Sequence, residues 1–367
     1  MPVTRHRAAV LLATVLIGLG VLLSGVPGPA SAAPGPGAAD DEGGTEALRR
    51  DLDKATAGYN NARAKAQTSQ KRRSTLVTQI ANSEKRITVL EQQVQDLGAA
   101  AYRQGLPDPA TAMANSRSLP DMIGNVGLVE SLARQRQQTL DDLLKTRSDL
   151  VAARRQVDSE LTKQRTEEKT MGERRADAEE ALRKAKVGGQ KSGGFTSDGE
   201  NKDVPAATGN TSQAAPEKKT TRKKTRKATS SPRRGDGSFG NEGCSQDDPT
   251  SGGCLTPRTL HALQQTKAAG FTHYVHCFRQ ASFGEHPKGR ACDFAAAPGG
   301  FGGAATGNDR AYGNRLAAWF VDNADRLGVL YVIWYRQIWL PGSGWRAYQS
   351  GSDPSAAHTN HVHLSVQ

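Results

Sequence analysis

Aromatic side chains make up only 5% of this 367-residue chain, and hydrophobic side chains of all kinds 36%. A chain that is globular throughout needs more, so much of its length is expected to be elongated or unstructured. The four tryptophans, Trp319, Trp334, Trp339 and Trp345, all lie in the last third, which is where a core is expected. Beyond the N-terminal apolar stretch, no segment approaches the roughly 20 apolar residues of a membrane-spanning helix. No two of the four cysteines stand in C-x-x-C spacing, which argues against a four-thiolate zinc site.

What is present first is an export signal. Arg5, His6 and Arg7 precede an apolar run from Ala8 to Val26, and Ala30-Ser31-Ala32 is an A-x-A cleavage site followed by a Pro/Gly/Ala-rich spacer. Residues 1–32 are therefore expected to be a signal peptide and 33–43 a spacer; an uncleaved membrane anchor is the competing reading. In an oxidising compartment, Cys244, Cys254, Cys277 and Cys292 suggest two disulfides. Three pairings are open, and Cys244–Cys254 with Cys277–Cys292 is favoured because each closes a short loop.

Residues 44–185 carry helical heptads. Leu48, Leu52, Ala55, Tyr59, Ala62 and Ala66 recur at alternating steps of four and three, and Leu76 through Ala101 continue the pattern. Pro107 and Pro109 end this helix, and Leu119-Pro120-Asp121 starts another. A second seam runs from Leu140 to Leu182, with Arg147, Arg154 and Arg175 at its a positions. Two long helices with a short helical insert imply an all-α antiparallel coiled-coil hairpin; a parallel dimer is the alternative.

Residues 186–240 are poor in apolar side chains and are expected to be a disordered linker. Much of the net charge of +12 collects there, in Lys218, Lys219, Arg222, Lys223, Lys224, Arg226, Lys227, Arg233 and Arg234. Anionic wall polymers or lipid headgroups suit this charge in an exported protein, as does a simple self-repelling tether; nucleic acid is not expected.

Residues 241–367 read as a small α+β domain with an antiparallel sheet. Thr256-Pro257 starts a helix, Asn308 to Leu327 forms another closed by Gly328, and strands are expected at 273–278, 291–295, 329–334, through Trp339 and at 361–366. His361 and His363, two apart on a strand, share one face. His286 lies in a loop turned by Gly289, with Asp293 on the strand beyond it. Three ligands, His286, Asp293 and His363, would suit zinc and leave a fourth position open to water, with His361 beside it as proton acceptor or charge stabiliser. Cys292 next to Asp293 offers a rival cysteine nucleophile, but alternation turns the two side chains to opposite faces. His273, His276 and His261 read as surface positions, and His358 either as a residue behind the ligands or, the favoured reading, as a solvated loop residue.

The eight residues His286 to Asp293 follow H-x-x-G-x-A-x-D, which resembles the signature of the D-alanyl-D-alanine metallopeptidases of the vancomycin-resistance type. His361-Val362-His363 resembles the H-x-H of lysostaphin-type and penicillin-insensitive murein endopeptidases. The resemblance implies that His286, Asp293 and His363 bind Zn2+ and that His361 assists. Cys277-Phe278-Arg279 is similar to the Gly-Tyr-Arg ahead of the first motif in the carboxypeptidases, which implies that Arg279 grips a substrate carboxylate. One feature departs: the carboxypeptidases carry a Glu shortly before their last His, and this chain has no Glu after Glu285.

The whole layout, with Ala-Ala-Tyr-Arg-Gln-Gly at 100–105 inside the coiled coil, is similar to secreted peptidoglycan hydrolases of high-GC Gram-positive bacteria. In those the coiled coil is usually regulatory and the attached domain often a cysteine peptidase. The expectation is a secreted, cell-wall zinc peptidase with peptidoglycan as partner and a membrane or divisome protein on the coiled coil. The alternative is a non-catalytic wall-binding protein whose coiled coil is a spacer or partner-binding arm.

Overall fold

The computed structural model describes residues 42–104, 108–199 and 225–367. The expected signal peptide, most of the spacer and the basic cluster from Lys218 to Lys224 lie outside the described residues. Two long helices, α1 (Glu46–Gln104) and α3 (Leu119–Lys184), flank the short α2 (Pro109–Ala114). The side chains of Asp108 and Ser118 cap α2 and α3 by accepting from Thr111 N–H and Asp121 N–H. The helices run antiparallel, as the two seams imply. Arg154 bonds Glu84 at 2.7 Å and Arg147 bonds Glu91 at 2.5 Å, so arginines at a positions splay outward to pair across the hairpin. Both pairs are largely exposed, worth at most about 1 kcal/mol each. The buried seam residues, among them Leu90, Leu143 and Leu150, hold the helices together.

The C-terminal region is an α+β unit around one antiparallel sheet. Its strands are β1 (Gly188–Lys191), β4 (Val275–His276), β5 (Ala291–Ala295), β6 (Val329–Trp334), β7 (Gln337–Leu340), β8 (Gly344–Tyr348) and β9 (His361–Val366). Their order across the sheet is β1-β8-β7-β6-β9-β5-β4. A small ribbon of β2 (Gln246–Asp247) and β3 (Cys254–Leu255) stands apart. Helices α4 (Pro257–Ala268), α5 (Gly307–Asp322) and α6 (Ala324–Leu327) complete the unit, with Thr256 capping α4 and Gly328 in the left-handed region (φ 72°) ending α6.

Both faces of the sheet are covered, by different parts of the chain. On one face Val332, Trp334, Val362, Leu364 and Phe294 pack with Leu263, Leu316 and Phe320 of α4 and α5. On the other, Tyr331, Ile333, Ile338, Leu340 and Tyr348 pack with Leu48, Leu52 and Ala55 of α1 and Ala178, Ala181 and Leu182 of α3. The base of the hairpin is thus a layer of the C-terminal fold, because its seam residues extend their apolar stripe onto the sheet.

The linker departs from expectation. Val187 reaches the apolar cluster beneath the hairpin, β1 pairs with β8, and Phe195, Ala228 and Phe239 are buried. These scattered apolar residues are few, yet each finds a ready-made surface, so the segments bearing them are ordered without a core of their own. Arg233, counted among the free basic charges of the linker, lies 4.0 Å over the Phe239 ring and bridges Asp325 at 3.2 Å. The spacer departs too: Glu42 and Gly43 are buried.

The two disulfides join Cys244 to Cys254 and Cys277 to Cys292. They fit an oxidising compartment. Among the described residues no helix is long and apolar enough to cross a membrane.

Leu52→Ala tests the docked hairpin base. Leu52 is fully buried between α3 and the sheet, so its truncation should cost about 2–5 kcal/mol in urea unfolding. An unchanged midpoint would mean that the hairpin base does not pack there.

Candidate functional site

The site is built on two neighbouring strands and one turn. Asp293 of β5 pairs directly with His363 of β9, and Ala295 with His361, so these side chains rise from the same face of the sheet. The opposite alternation carries Cys292 into the other core, where it is disulfide-bonded to Cys277. That removes the thiolate a cysteine nucleophile would need. His286 sits on a 3-10 turn, His286–Lys288, which brings it back over β5. Gly289 closes the turn at φ 66°, and a Cβ there would fall 2.4 Å from the Cys244 Sγ. Both the backbone and the packed disulfide therefore demand glycine in this motif.

Three side chains converge. His286 Nε2 is 3.1 Å from Asp293 Oδ2 and 3.3 Å from His363 Nδ1, and His363 Nδ1 is 2.8 Å from Asp293 Oδ1. Neighbouring ligands of a tetrahedral zinc stand about 3.3–3.6 Å apart, for bonds of about 2.0–2.2 Å. The outer ring nitrogens are committed elsewhere. His286 Nδ1–H donates to the Cys277 carbonyl, and His363 Nε2 bonds Ser365 Oγ at 2.7 Å. Those bonds orient the rings and turn the inner nitrogens toward each other and the carboxylate. The donor set suits a zinc-like divalent cation, and the two imidazole nitrogens, 3.3 Å apart, are at ligand spacing; the contacts to Asp293, at 2.8 and 3.1 Å, are hydrogen-bond separations that would widen around an ion.

His361 stands beside this trio. Its Nε2 lies 3.5 Å from Asp293 Oδ1 and has no hydrogen-bond partner, while its Nδ1–H donates to Asn360 Oδ1 at 2.7 Å. Asn360 is itself fixed, since its amide donates to Gly302 O and Ser355 Oγ. Arg279 reaches the same cluster and donates to Asp293 Oδ2 at 2.6 Å. His286, Asp293, Arg279, His361 and His363, predicted as site residues, are therefore brought together.

Burial and charge set the protonation. Burial works against ionised Asp293, yet His286, His361 and Arg279 together hold its carboxyl well below the usual range. Burial lowers His361 to about 4 and depresses His363, leaving both imidazoles neutral near pH 7. Burial also opposes protonation of His286, but Asp293 outweighs it and raises that ring.

Three participants lacked a readable role. His358, expected in solvent, is buried, its ring 4.9 Å from that of His361 and 5.8 Å from that of His363. Tyr331 stacks on His363 at 5.7 Å and reads in sequence only as a core strand residue. Glu42 had no signal at all. Its carboxylate accepts from the backbone N–H of Glu285 (2.6 Å) and His286 (3.3 Å) and from Tyr331 O–H (2.7 Å). One ligand atom each from Glu42, His286 and His363 lie within 4.8 Å of one another. His273 is held away from the cluster, stacked on Tyr312 and bonded to Ala296 O. His276 pairs with Asp293 across β4 and β5 and is half-buried.

The depressed His361 gives a sign-definite pH dependence for metal-free protein. A base whose pKa is lower folded than unfolded stabilises the fold fully above its unfolded value, about 6.5. That contribution is lost as pH falls toward about 4. His363 and His358 act in the same direction and His286 in the opposite one. Urea midpoints should therefore fall between about pH 6.5 and pH 4, and His361→Gln should flatten that fall. An equally steep fall in the variant would refute the assignment.

A family model for the VldE C-terminal domain matches residues 251–359. The match takes in His286 and Asp293 and stops just short of His361 and His363. No curated protein and no solved structure matches the chain.

Proposed function

We propose that the C-terminal unit is a zinc-dependent peptidase of a secreted protein, acting on peptidoglycan stem peptides or cross-bridges. The observation that carries the reading is the meeting of His286 Nε2, Asp293 and His363 Nδ1 within 3.3 Å of one another. These three would hold the ion, in the roles that their motif resemblance implies. A bound zinc ion supplies Lewis-acid polarisation of a carbonyl and acidifies water.

The remaining chemistry belongs to the side chains. His361 presents an unpartnered Nε2 lone pair, with its other nitrogen tied to Asn360, so it is oriented to take up a proton and hand it on. Asp293, held ionised by Arg279 and the imidazoles, would stabilise positive charge gained by His361. Arg279 orients Asp293 and is the proposed grip for a substrate carboxylate. The choice of peptidoglycan rests on the two motifs and the overall layout. The basic linker is proposed to meet anionic wall polymers.

A second reading, a non-catalytic wall-binding protein with a partner-binding arm, is favoured by two observations. His286, Asp293, His361 and His363 are sealed from solvent, and Tyr102, Leu119, Ile123 and Leu128 near the hairpin tip are exposed apolar groups of the kind that mark partner surfaces. A membrane or divisome protein is the proposed partner there.

Purified protein should carry about one zinc per chain, and His363→Ala should lose it along with hydrolysis of sacculi. A chelator should stop hydrolysis while leaving sacculus binding intact, and a thiol alkylator should do nothing. Metal-free protein with unchanged activity in His363→Ala would sink the peptidase reading. Binding that persists without any hydrolysis would support the second.

A further inference from the structure

We propose that Glu42 is an internal plug of the candidate metal centre, so that the chain as folded is a restrained form of low basal activity, opened further by withdrawing the start of α1 from the sheet. This rests on the metal-site reading above and adds its regulation. Glu42 comes from the far end of the sequence, 243 residues before the Glu285 amide it accepts from. Its carboxylate is fully buried, and one of its oxygens lies within 4.8 Å of a ring nitrogen on each of the two histidines proposed to bind the ion. As a further ligand it would take the position that water or a substrate oxygen otherwise fills, and an anionic oxygen competes well for a hard or borderline cation.

The plug is held from α1. The Arg49 guanidinium is buried 3.8 Å from the Glu42 carboxylate, its Nε donates to Gly43 O at 2.9 Å, and it bonds Glu42 O and the Tyr348 hydroxyl as well. Tyr348 O–H donates to Glu42 O at 2.7 Å. Arg49 also lies over the rings of Tyr331 and Tyr348, at 5.3 and 5.5 Å. The first turn of α1, the extended residues before it and the sheet are thereby one clamped assembly.

Further along α1, Asp53 bonds Arg290 at 2.6 Å and Asn60 donates to Val329 O at 2.8 Å, while Glu179 of α3 accepts from Arg346 at 2.8 Å. The rest of the interface is the apolar cluster around Leu48, Leu52 and Leu182, so parting it exposes apolar surface that a partner would have to cover. An event that lifts the hairpin base would carry Glu42 out of the site. The same carboxylate is the only Glu side chain found against the imidazole pair among the described residues. A catalytic base is thus the competing role, and the test must separate the two.

The test uses full-length mature protein, Glu42→Gln and Glu42→Ala, each loaded with Co2+ and titrated with azide. A plugged site gives a wild-type visible spectrum that azide leaves unchanged. Both variants should respond to azide, and should lose cobalt to dipicolinate at least about 10-fold faster than wild type. Thermal unfolding of the variants by circular dichroism checks that the fold persists; Gln keeps the acceptor oxygen for the Glu285 and His286 amides. A wild-type spectrum that shifts with azide, or variants as inert as wild type, would overturn the plug. So would loss of sacculus hydrolysis in Glu42→Gln relative to wild type, which would make Glu42 a catalytic base. Failure of every protein to take up cobalt would overturn the metal reading itself, and the plug with it.

Discussion

Three electron-pair donors aimed at one point inside a protein repel one another unless positive charge lies among them. His286 Nε2, His363 Nδ1 and the Asp293 carboxylate are in that position. Bonds to Cys277 O and Ser365 Oγ prevent the rings from turning their lone pairs away. Much of the local architecture follows from this constraint. Gly289 gives the tight turn that returns His286 over the strand, the β5–β9 register sets Asp293 opposite His363, and Arg279 helps to offset the buried carboxylate. Without an ion, protons must serve instead, which is why Asp293 pushes His286 toward its charged form.

The second organising fact is that the sheet has no free face. Helices α4 and α5 cover the side of Cys292 and Leu364, and the base of the hairpin covers the side of Asp293 and His363. A coiled coil is usually a spacer whose influence ends where its partner helix ends. Here Leu48, Leu52 and Leu182 carry the seam on to Tyr331, Ile338 and Leu340, so the stalk and the candidate site share a core. In the proposed role of Glu42, movement of the hairpin base would expose the site. The proposed role of Glu42 is the chemical expression of that coupling.

A good deal of this was legible. The alternation of His361, His363 and Ser365 against Val362, Leu364 and Val366 gave the faces of β9, and the same rule separated Cys292 from Asp293. Heptad spacing gave the two helices, and short loop lengths pointed to the two disulfides that form. Other features were hidden. His358 adopts φ 49° in a loop whose carbonyl accepts from Tyr335 N–H, a turn that no local composition announces, and so its burial was missed. Phe195, Ala228 and Phe239 are too sparse to predict order, because the surfaces that receive them belong to segments far away.

The sequence by itself determined what each segment becomes and which of its side chains share a face, because helical and strand periodicities act over a few residues. It also set the local order of ligands in the H-x-x-G-x-A-x-D and H-x-H segments. Only the tertiary structure decided which surfaces meet. The approach of Glu42 to His286, the stacking of Tyr331 on His363 and the packing of α1 on the sheet depend on contacts between distant elements. Such packing is chosen by total buried area and paired charge over the whole fold, and no short stretch of residues encodes it.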